Sequence, residues 1–269
     1  MNFVERTLSG FVDAMERSLG AAELAQANGL LQRLDPRLKL IGLLTLVIAA
    51  ATARKLWVIG GLFATALVLA LASRVALANL GRRVWLPLLV FTGIIALPAL
   101  FLTPGRALYR FPWLAWPLTG PGLRSAGFLV MRVETAATLS VLLILSTPWN
   151  HVLKALRVFR VPVILVVILG MTYRYIFLLF ETAQAMLESR RSRWVGELSG
   201  ADSRRVATAS VGVLISKTLT LSGEVYGAML ARGFCGEAYL LDDFRTGPLD
   251  WLMLAAFLAL AAGAVYCGR

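Results

Sequence analysis

The sequence has very few side chains that bind transition metals. It contains one histidine, His151, and two cysteines, Cys235 and Cys267, which are too few and too far apart for a zinc site or a disulfide framework. Imidazole and thiolate are ligands that first-row transition metals prefer in proteins. We therefore expect no metal site within this chain.

The chain also lacks the motifs of common enzyme classes. There is no G-x-x-x-x-G-K-[ST] phosphate-binding loop, so the chain is not expected to hydrolyse ATP by itself. It contains no H-E-x-x-H motif, no G-x-S-x-G motif and no pair of carboxylates placed for acid–base catalysis in its apolar segments. The sequence therefore predicts a protein that is not an enzyme and that binds no cofactor of its own.

Hydrophobic residues dominate the composition. They make up 58% of the 269 residues, whereas soluble chains contain about 45–50%. The formal net charge of +12 is typical of a membrane protein whose Lys and Arg collect in cytoplasmic loops. No stacking aromatics or recognisable nucleic-acid-binding module accompany the basic residues. The predicted partner is therefore the lipid bilayer and not nucleic acid.

Apolar runs predict an all-α, polytopic membrane protein with about five transmembrane helices, because about 20 apolar residues span a bilayer. Residues 103–122 contain Pro104, Pro112, Pro117 and Pro121 and are predicted to form an irregular interfacial loop. The basic flanks place the N-terminus on the cytoplasmic side. The predicted spans are residues 40–53, 56–73, 84–102, 123–146 and 249–266.

The same pattern divides the chain into four segments. Residues 1–34 carry an apolar stripe at helical spacing and form either an interfacial amphipathic helix or a loosely held tail. Residues 35–147 form a bundle of four spans, residues 148–248 a cytoplasmic coupling region, and residues 249–269 the last span. The stripe consists of Val4, Leu8, Phe11, Met15 and Leu19.

Several polar residues flank or interrupt the apolar runs. Asp35 is predicted to cap a helix whose first residue is Pro36, with Arg37 and Lys39 extending to the membrane interface. Arg132 and Glu134 lie two residues apart and cannot face each other on one helix. Because buried charge is costly in lipid, we expect each of these two to face the bundle or a neighbouring subunit in a structural role.

The coupling region is predicted to contain several helices at the cytoplasmic interface. Basic residues lie on both sides of the apolar run 161–180, which argues against a simple crossing and favours packing against the bundle. A cluster of Arg190, Arg191 and Arg193 follows this run. A helical pattern then extends over residues 205–231, with an apolar stripe of Val211, Leu214, Leu221, Val225 and Met229.

Three segments, taken in order, resemble the transmembrane (T) components of energy-coupling factor (ECF) transporters. They are Asp35-Pro-Arg-Leu-Lys-Leu40, Met171-Thr-Tyr-Arg-Tyr-Ile-Phe-Leu178, and Ala228-Met-Leu-Ala-Arg-Gly-Phe234. The resemblance covers most of the chain from about residue 30 and is strongest to the Q subunit of cobalt transporters (CbiQ type). Arg174, in the second segment, is accordingly expected to be a structural polar residue within the membrane.

The resemblance implies an ABC-type importer of the cell (inner) membrane. Its partners would be two ATP-binding cassette ATPase subunits, which bind ATP and Mg²⁺, a substrate-capturing subunit of the CbiM type, and a small accessory membrane subunit. In that family, two arginine motifs contact the ATPases. The second motif corresponds to Ala231, Arg232 and Gly233, whereas no glycine follows an arginine in the first cluster, which leaves Arg191 and Arg193 as alternatives.

Other interpretations remain open at this point. The Ala-Arg-Gly triplet is also what a helix C-terminus requires, with arginine on the helix dipole and glycine in the left-handed cap. Cobalt is the expected substrate. The alternatives are that the chain serves a partner subunit that binds nickel or one that binds a vitamin. A membrane anchor or assembly protein without a transport cycle is the alternative from a different class.

Overall fold

A computed structural model describes most of the chain, and its described residues are almost entirely helical, which confirms the predicted all-α class. Two compact units are present. One contains the described residues between 22 and 152 and between 244 and 269, and the other contains those between 153 and 243. The predicted helix over residues 4–19 lies outside the described residues. The described residues are 29–75, 77–102, 107–110, 117–193, 200–236 and 246–268.

Ten α-helices and one π-helical turn are present in the described residues. In chain order they are α1 (Leu30–Arg33), α2 (Pro36–Thr52), α3 (Leu56–Ala72), α4 (Leu77–Leu80), the π-helical turn (Gly81–Trp85), α5 (Leu86–Leu102), α6 (Gly120–Ser146), α7 (Trp149–Val158), α8 (Val163–Ser192), α9 (Gly200–Ala231) and α10 (Pro248–Gly268).

Helix α2 begins as the sequence predicts. The side chain of Asp35 accepts a hydrogen bond from the backbone N–H of Arg37 at 2.9 Å, and Pro36 occupies the first helical position. A proline there loses no hydrogen bond, because the first N–H groups of a helix have no partner within the helix.

The core of the first unit lies where α6 packs against α2, α3 and α5, and where α10 packs against α2. Gly42 of α2 allows the ring of Phe257 in α10 to approach closely, since a Cβ at this position would meet the ring. Small residues bring transmembrane helices together in this way. The buried core includes Leu43, Leu46, Ile59, Leu139, Leu142 and Phe257.

The segment predicted as an irregular loop contains two short strands, so this part of the prediction is wrong. Strand β1 (Ala107–Arg110) pairs antiparallel with β2 (Pro117–Thr119). Pro117 stands at the first position of its strand, where the missing N–H is tolerated. Prolines that are typical of a loop therefore do not exclude a short ladder here.

The second unit contains α8 and α9, which pack against each other. Helix α8 continues for 30 residues from Val163 to Ser192, so the apolar run and the arginine cluster belong to one helix. Helix α9 extends for 32 residues and begins five residues before the predicted helix over 205–231. Both predicted arginine motifs thus lie at helix C-termini.

Four described helices are long and apolar enough to cross a membrane, by length and composition alone: α6, α8, α9 and α10. Helices α3 and α5 are apolar but shorter. At 1.5 Å per residue, a 17-residue helix such as α3 extends about 25 Å. Two of the four, α8 and α9, lie in the segment predicted as the cytoplasmic coupling region.

Candidate functional site

The first arginine cluster borders an open groove between α8 and α9. The groove has a volume of about 590 Å³ and includes Arg190 in the last turn of α8 and Arg193 just beyond it. The backbone N–H of Arg193 donates to the carbonyl of Arg190 at 3.2 Å, which closes the helix end. Charged residues on the groove wall also include Glu181 and Lys217. The side chain of Arg191 lies outside the described ones.

Arg190 and Arg193 therefore reach the same concave surface, although their surroundings differ. Arg190 is half-buried, whereas Arg193 is exposed. Positive side chains at a helix C-terminus are favoured by the helix dipole. The remaining groove residues are Leu178, Thr182, Ala185, Met186 and Ser189.

The second arginine motif forms a Schellman cap at the end of α9. The N–H of Phe234 donates to the carbonyl of Met229 at 3.1 Å, and the N–H of Gly233 donates to the carbonyl of Leu230 at 3.0 Å. Gly233 has φ +78°, a left-handed conformation that glycine adopts without steric cost. The helix-end interpretation of the triplet is confirmed.

This cap leaves the side chain of Arg232 exposed. The backbone of Arg232 is fixed, because its N–H donates to the carbonyl of Met229 at 3.1 Å, inside the same cap. A guanidinium carries five N–H donors in a planar fork and can bind a carboxylate or backbone carbonyls. The structure thus presents an exposed cationic group on a helix end whose backbone is fixed by hydrogen bonds.

Helix α9 buries little of its surface. Four residues of the apolar stripe are half-buried: Leu214, Leu221, Val225 and Met229. Val211, the first residue of this stripe, is 54% exposed, and the neighbouring Ser210 is buried. An exposed apolar stripe lies on another face, and its members are Val211, Ile215, Leu219, Tyr226 and Leu230.

A buried polar cluster, which we call the polar joint, connects three helix ends of the first unit through Asp35, Lys39, Ser146 and Asp250. Asp250, in the first turn of α10, accepts hydrogen bonds on both carboxylate oxygens, from the N–H of Asp35 at 2.9 Å and from the N–H of Gly247 at 2.8 Å. Both aspartates are buried. Asp250 was not predicted, and only its position near the start of an apolar run hints at a helix-capping role.

Lys39 differs from its predicted position. It does not extend to the interface, because its side chain is only 2% exposed and its ammonium donates to the carbonyls of Leu31 at 2.9 Å and Ser146 at 2.8 Å. These two main-chain carbonyls compensate for the hydration that the buried ammonium loses. The snorkelling prediction for Lys39 is therefore wrong.

Arg132 and Glu134 in α6 face different surroundings. Arg132 donates to the carbonyl of Ala53 at 2.7 Å and its guanidinium carbon lies 4.6 Å from the centroid of the Phe128 ring. Ala53 is the C-cap residue of α2, so Arg132 satisfies a helix-end carbonyl. Glu134 is buried, and neither carboxyl oxygen has a hydrogen-bond partner among the described residues.

Arg174 has an exposed side chain in the first half of α8. It is therefore not packed inside either described unit as a structural residue would be. The neighbouring Tyr173 packs its ring edge-on against Phe177, with centroids 5.1 Å apart. The charge of Arg174 interrupts an otherwise apolar part of this helix.

The described residues contain no group of three His, Cys, Asp or Glu side chains that could hold a metal ion. Together, the apolar helices, the buried polar joint and the two exposed arginine-bearing helix ends define a polytopic α-helical membrane protein. The chain belongs to the CbiQ cobalt transport protein family, whose family model matches residues 27–240.

Three relatives are similar to this chain over most of their length. An uncharacterised protein of Methanocaldococcus jannaschii is 31% identical over 238 residues, which cover 87% of this chain and 81% of that protein. The cobalt transport protein CbiQ of Rhodobacter capsulatus is 31% identical over 204 residues, with 75% and 81% covered. The nickel permease LarQ of Lactiplantibacillus plantarum is 28% identical over 232 residues, with 83% and 74% covered.

Proposed function

We propose that this chain is the transmembrane scaffold and energy-coupling subunit of an ECF-type importer of Co²⁺. Two ATPase subunits bind at the arginine-bearing ends of α8 and α9, and a separate CbiM-type membrane subunit captures the ion. ATP hydrolysis takes place in the ATPases, and this chain transmits the resulting motion. The N-terminus and the coupling region face the cytoplasm.

The observation that carries the proposal is the exposed guanidinium of Arg232 on the rigid cap of α9. An arginine on a flexible loop would lose conformational entropy on binding, whereas the backbone of this one is already fixed. The same chemistry recurs at the end of α8, where Arg190 and Arg193 border a groove. Two cationic helix ends are a suitable match for two copies of an ATPase with acidic or carbonyl-lined recesses.

The choice of ion rests on the relatives and on the chemistry that this chain lacks. One relative is named a cobalt transport protein and another a nickel permease. Because the described residues offer no cluster of metal ligands, the ion is selected by the capture subunit. Cobalt is the proposed substrate, and Ni²⁺ uptake by the same complex is the alternative outcome.

Affinity purification of the tagged full-length chain from cells that express it with its partner subunits tests the proposal. We expect two copies of an ATPase and a capture subunit to co-purify, and the cells to accumulate radiolabelled Co²⁺. Charge reversal of Arg232 together with Arg193 should release the ATPases, whereas Arg74→Glu should not. Arg74 is a matched control because it is exposed and directly follows the C-cap of α3.

A second double variant reverses the charge of Arg191, and not of Arg193, together with that of Arg232. Comparison of the two double variants identifies which arginine of the first cluster binds the ATPase. Purification of the chain without any ATPase, from cells that express the ATPases, would contradict the proposal and favour a membrane anchor. Preferential uptake of Ni²⁺ would retain the coupling role and change the substrate.

A further inference from the structure

The most deeply buried cation of the first unit's described residues is the ammonium of Lys39 in the polar joint. Its two acceptors are the carbonyls of Leu31 in α1 and of Ser146, the last residue of α6. The last carbonyls of a helix have no partner within the helix and carry the negative end of its dipole. Lys39 therefore supplies both a donor and a charge of the right sign to the end of α6.

The polar joint fixes more than one helix end. The backbone N–H of Asp35, one turn before Lys39, donates a hydrogen bond to the carboxylate of Asp250. This bond connects the start of α2 to the start of α10. Lys39 then ties α2 to the end of α6. These partners are separated by 215 and 107 residues in the chain.

The end of α6 has a special place in the connectivity. After Ser146 the chain passes through Thr147 and Pro148 into α7 (Trp149–Val158), from which it continues into α8 and α9. Thr147 is buried as well. A force that α8 exerts along the chain through α7 therefore reaches the bundle next to the carbonyl that Lys39 holds. The other chain connection, from α9, enters the bundle at α10, whose Asp250 is bound to the start of α2.

We infer that Lys39 is a positioning residue for energy coupling: it anchors the end of α6 to the starts of α2 and α10, so that motion of the coupling region moves the bundle. The inference rests on the proposed function and adds a residue to it. Without the anchor, the first turn of α7 moves independently of the bundle, and ATP hydrolysis no longer drives ion movement.

Packing alone does not require a lysine at this position. Methionine fills a similar volume without the cost of burying a charge, and replacement of buried charges by apolar residues often leaves stability unchanged or improves it. What methionine cannot do is donate to two carbonyls at once. Lys39→Met therefore removes the anchor while keeping the volume.

The test compares Lys39→Met, Lys39→Arg and Lys55→Met in the complete complex, with radiolabelled Co²⁺ as the probe. Lys55 is the matched control, since it is an exposed lysine at the N-cap of α3. The measurements are Co²⁺ uptake, ATP hydrolysis by the purified complex, and the amount of assembled complex. We expect Lys39→Met to lower the number of ions carried per ATP at least tenfold while the complex still assembles and hydrolyses ATP.

Lys39→Arg retains several N–H donors and should keep more of this coupling ratio than Lys39→Met, and Lys55→Met should match the wild type. An unchanged ratio in Lys39→Met would overturn the inference. Loss of uptake and hydrolysis in proportion to the amount of folded complex would also overturn it, because Lys39 would then serve only stability.

A second measurement separates this inference from the proposed function. Hydrogen exchange of the full-length chain should become at least tenfold faster at residues 147–152 in Lys39→Met, whatever substrate the complex carries. Unchanged exchange there overturns the inference even if the transporter assignment holds. If the wild-type chain does not bind ATPases, the proposed function is refuted. The hydrogen-exchange result then still shows whether Lys39 anchors α6.

Discussion

The cap at the end of α9 allows the two interpretations of Ala231-Arg232-Gly233 to be separated by a pair of substitutions. Gly233→Ala places a Cβ on a residue at φ +78°, where nothing lies within 4 Å of it. The cost is therefore conformational only, about 1–2 kcal/mol for an L-residue in the left-handed region. The guanidinium of Arg232 is retained.

Arg232→Glu, in contrast, removes the guanidinium and retains the backbone conformation of the cap. The cap hydrogen bonds are all made by backbone groups, so they remain. A glutamate in place of an arginine at a helix C-terminus loses a favourable dipole interaction and gains an unfavourable one, which amounts to about 1 kcal/mol at an exposed site. The two variants are thus nearly matched in their expected effect on the stability of the isolated subunit.

Their effects on transport should differ strongly. Breaking a buried, charge-assisted contact with a partner costs about 2–5 kcal/mol, which corresponds to a loss of affinity of about 30-fold to several thousand-fold. We expect Arg232→Glu to abolish Co²⁺ uptake and to weaken ATPase binding by that factor, while Gly233→Ala retains most of both. The assays are ion uptake in cells, ATPase co-purification and thermal unfolding of the membrane subunit.

Equal loss of uptake and of stability in the two variants would refute the reasoning and return Arg232 to a purely helix-capping role. Normal uptake with Arg232→Glu would refute the coupling assignment altogether.

Three further outcomes are expected. In a chain whose native cysteines are replaced, a single cysteine at Gly105 should react with an impermeant thiol reagent on intact cells, and one at Gly200 should not. Labelling at Gly200 would mean that α8 crosses the membrane. The isolated subunit should show no stoichiometric high-affinity binding of Co²⁺ or Ni²⁺ by calorimetry, and tight binding that disappears with His151→Ala would place substrate recognition in this chain. Arg132→Met should lower the free energy of unfolding by about 1–3 kcal/mol, because the buried carbonyl of Ala53 loses its donor, and a change below about 0.5 kcal/mol in a denaturation series would contradict this role.

Features that depend on neighbours within one or two helical turns were predicted correctly from the sequence. The cap and first residue of α2 follow from Asp35 and Pro36, because the capping oxygen bonds an N–H two residues away. The end of α9 follows from Gly233, since its left-handed conformation is set locally. The helical class follows from the length of the apolar runs, which leave backbone groups no partners in lipid except within a helix.

The positions of the charged side chains were decided only by the tertiary structure. Lys39 was expected at the interface because a lysine near a helix start commonly extends to water. One of the two carbonyls that bind its ammonium belongs to a residue 107 positions away, which the local sequence does not reveal. The contact of Asp250 with Asp35 gave no signal in the sequence, because the two residues are 215 positions apart.

The sequence also does not determine which face of a long helix is buried. Periodicity identifies a buried face when polar residues mark the opposite one, but α9 has apolar residues on both its half-buried and its exposed faces. Periodicity therefore groups Val211 with the apolar stripe, although Val211 is exposed. The neighbouring Ser210 is buried instead, and its hydroxyl donates to the carbonyl of Val206. In a membrane protein, the hydrophobic pattern determines that a helix forms, whereas contacts between distant segments determine which of its sides is covered, because lipid and protein interior are similarly apolar.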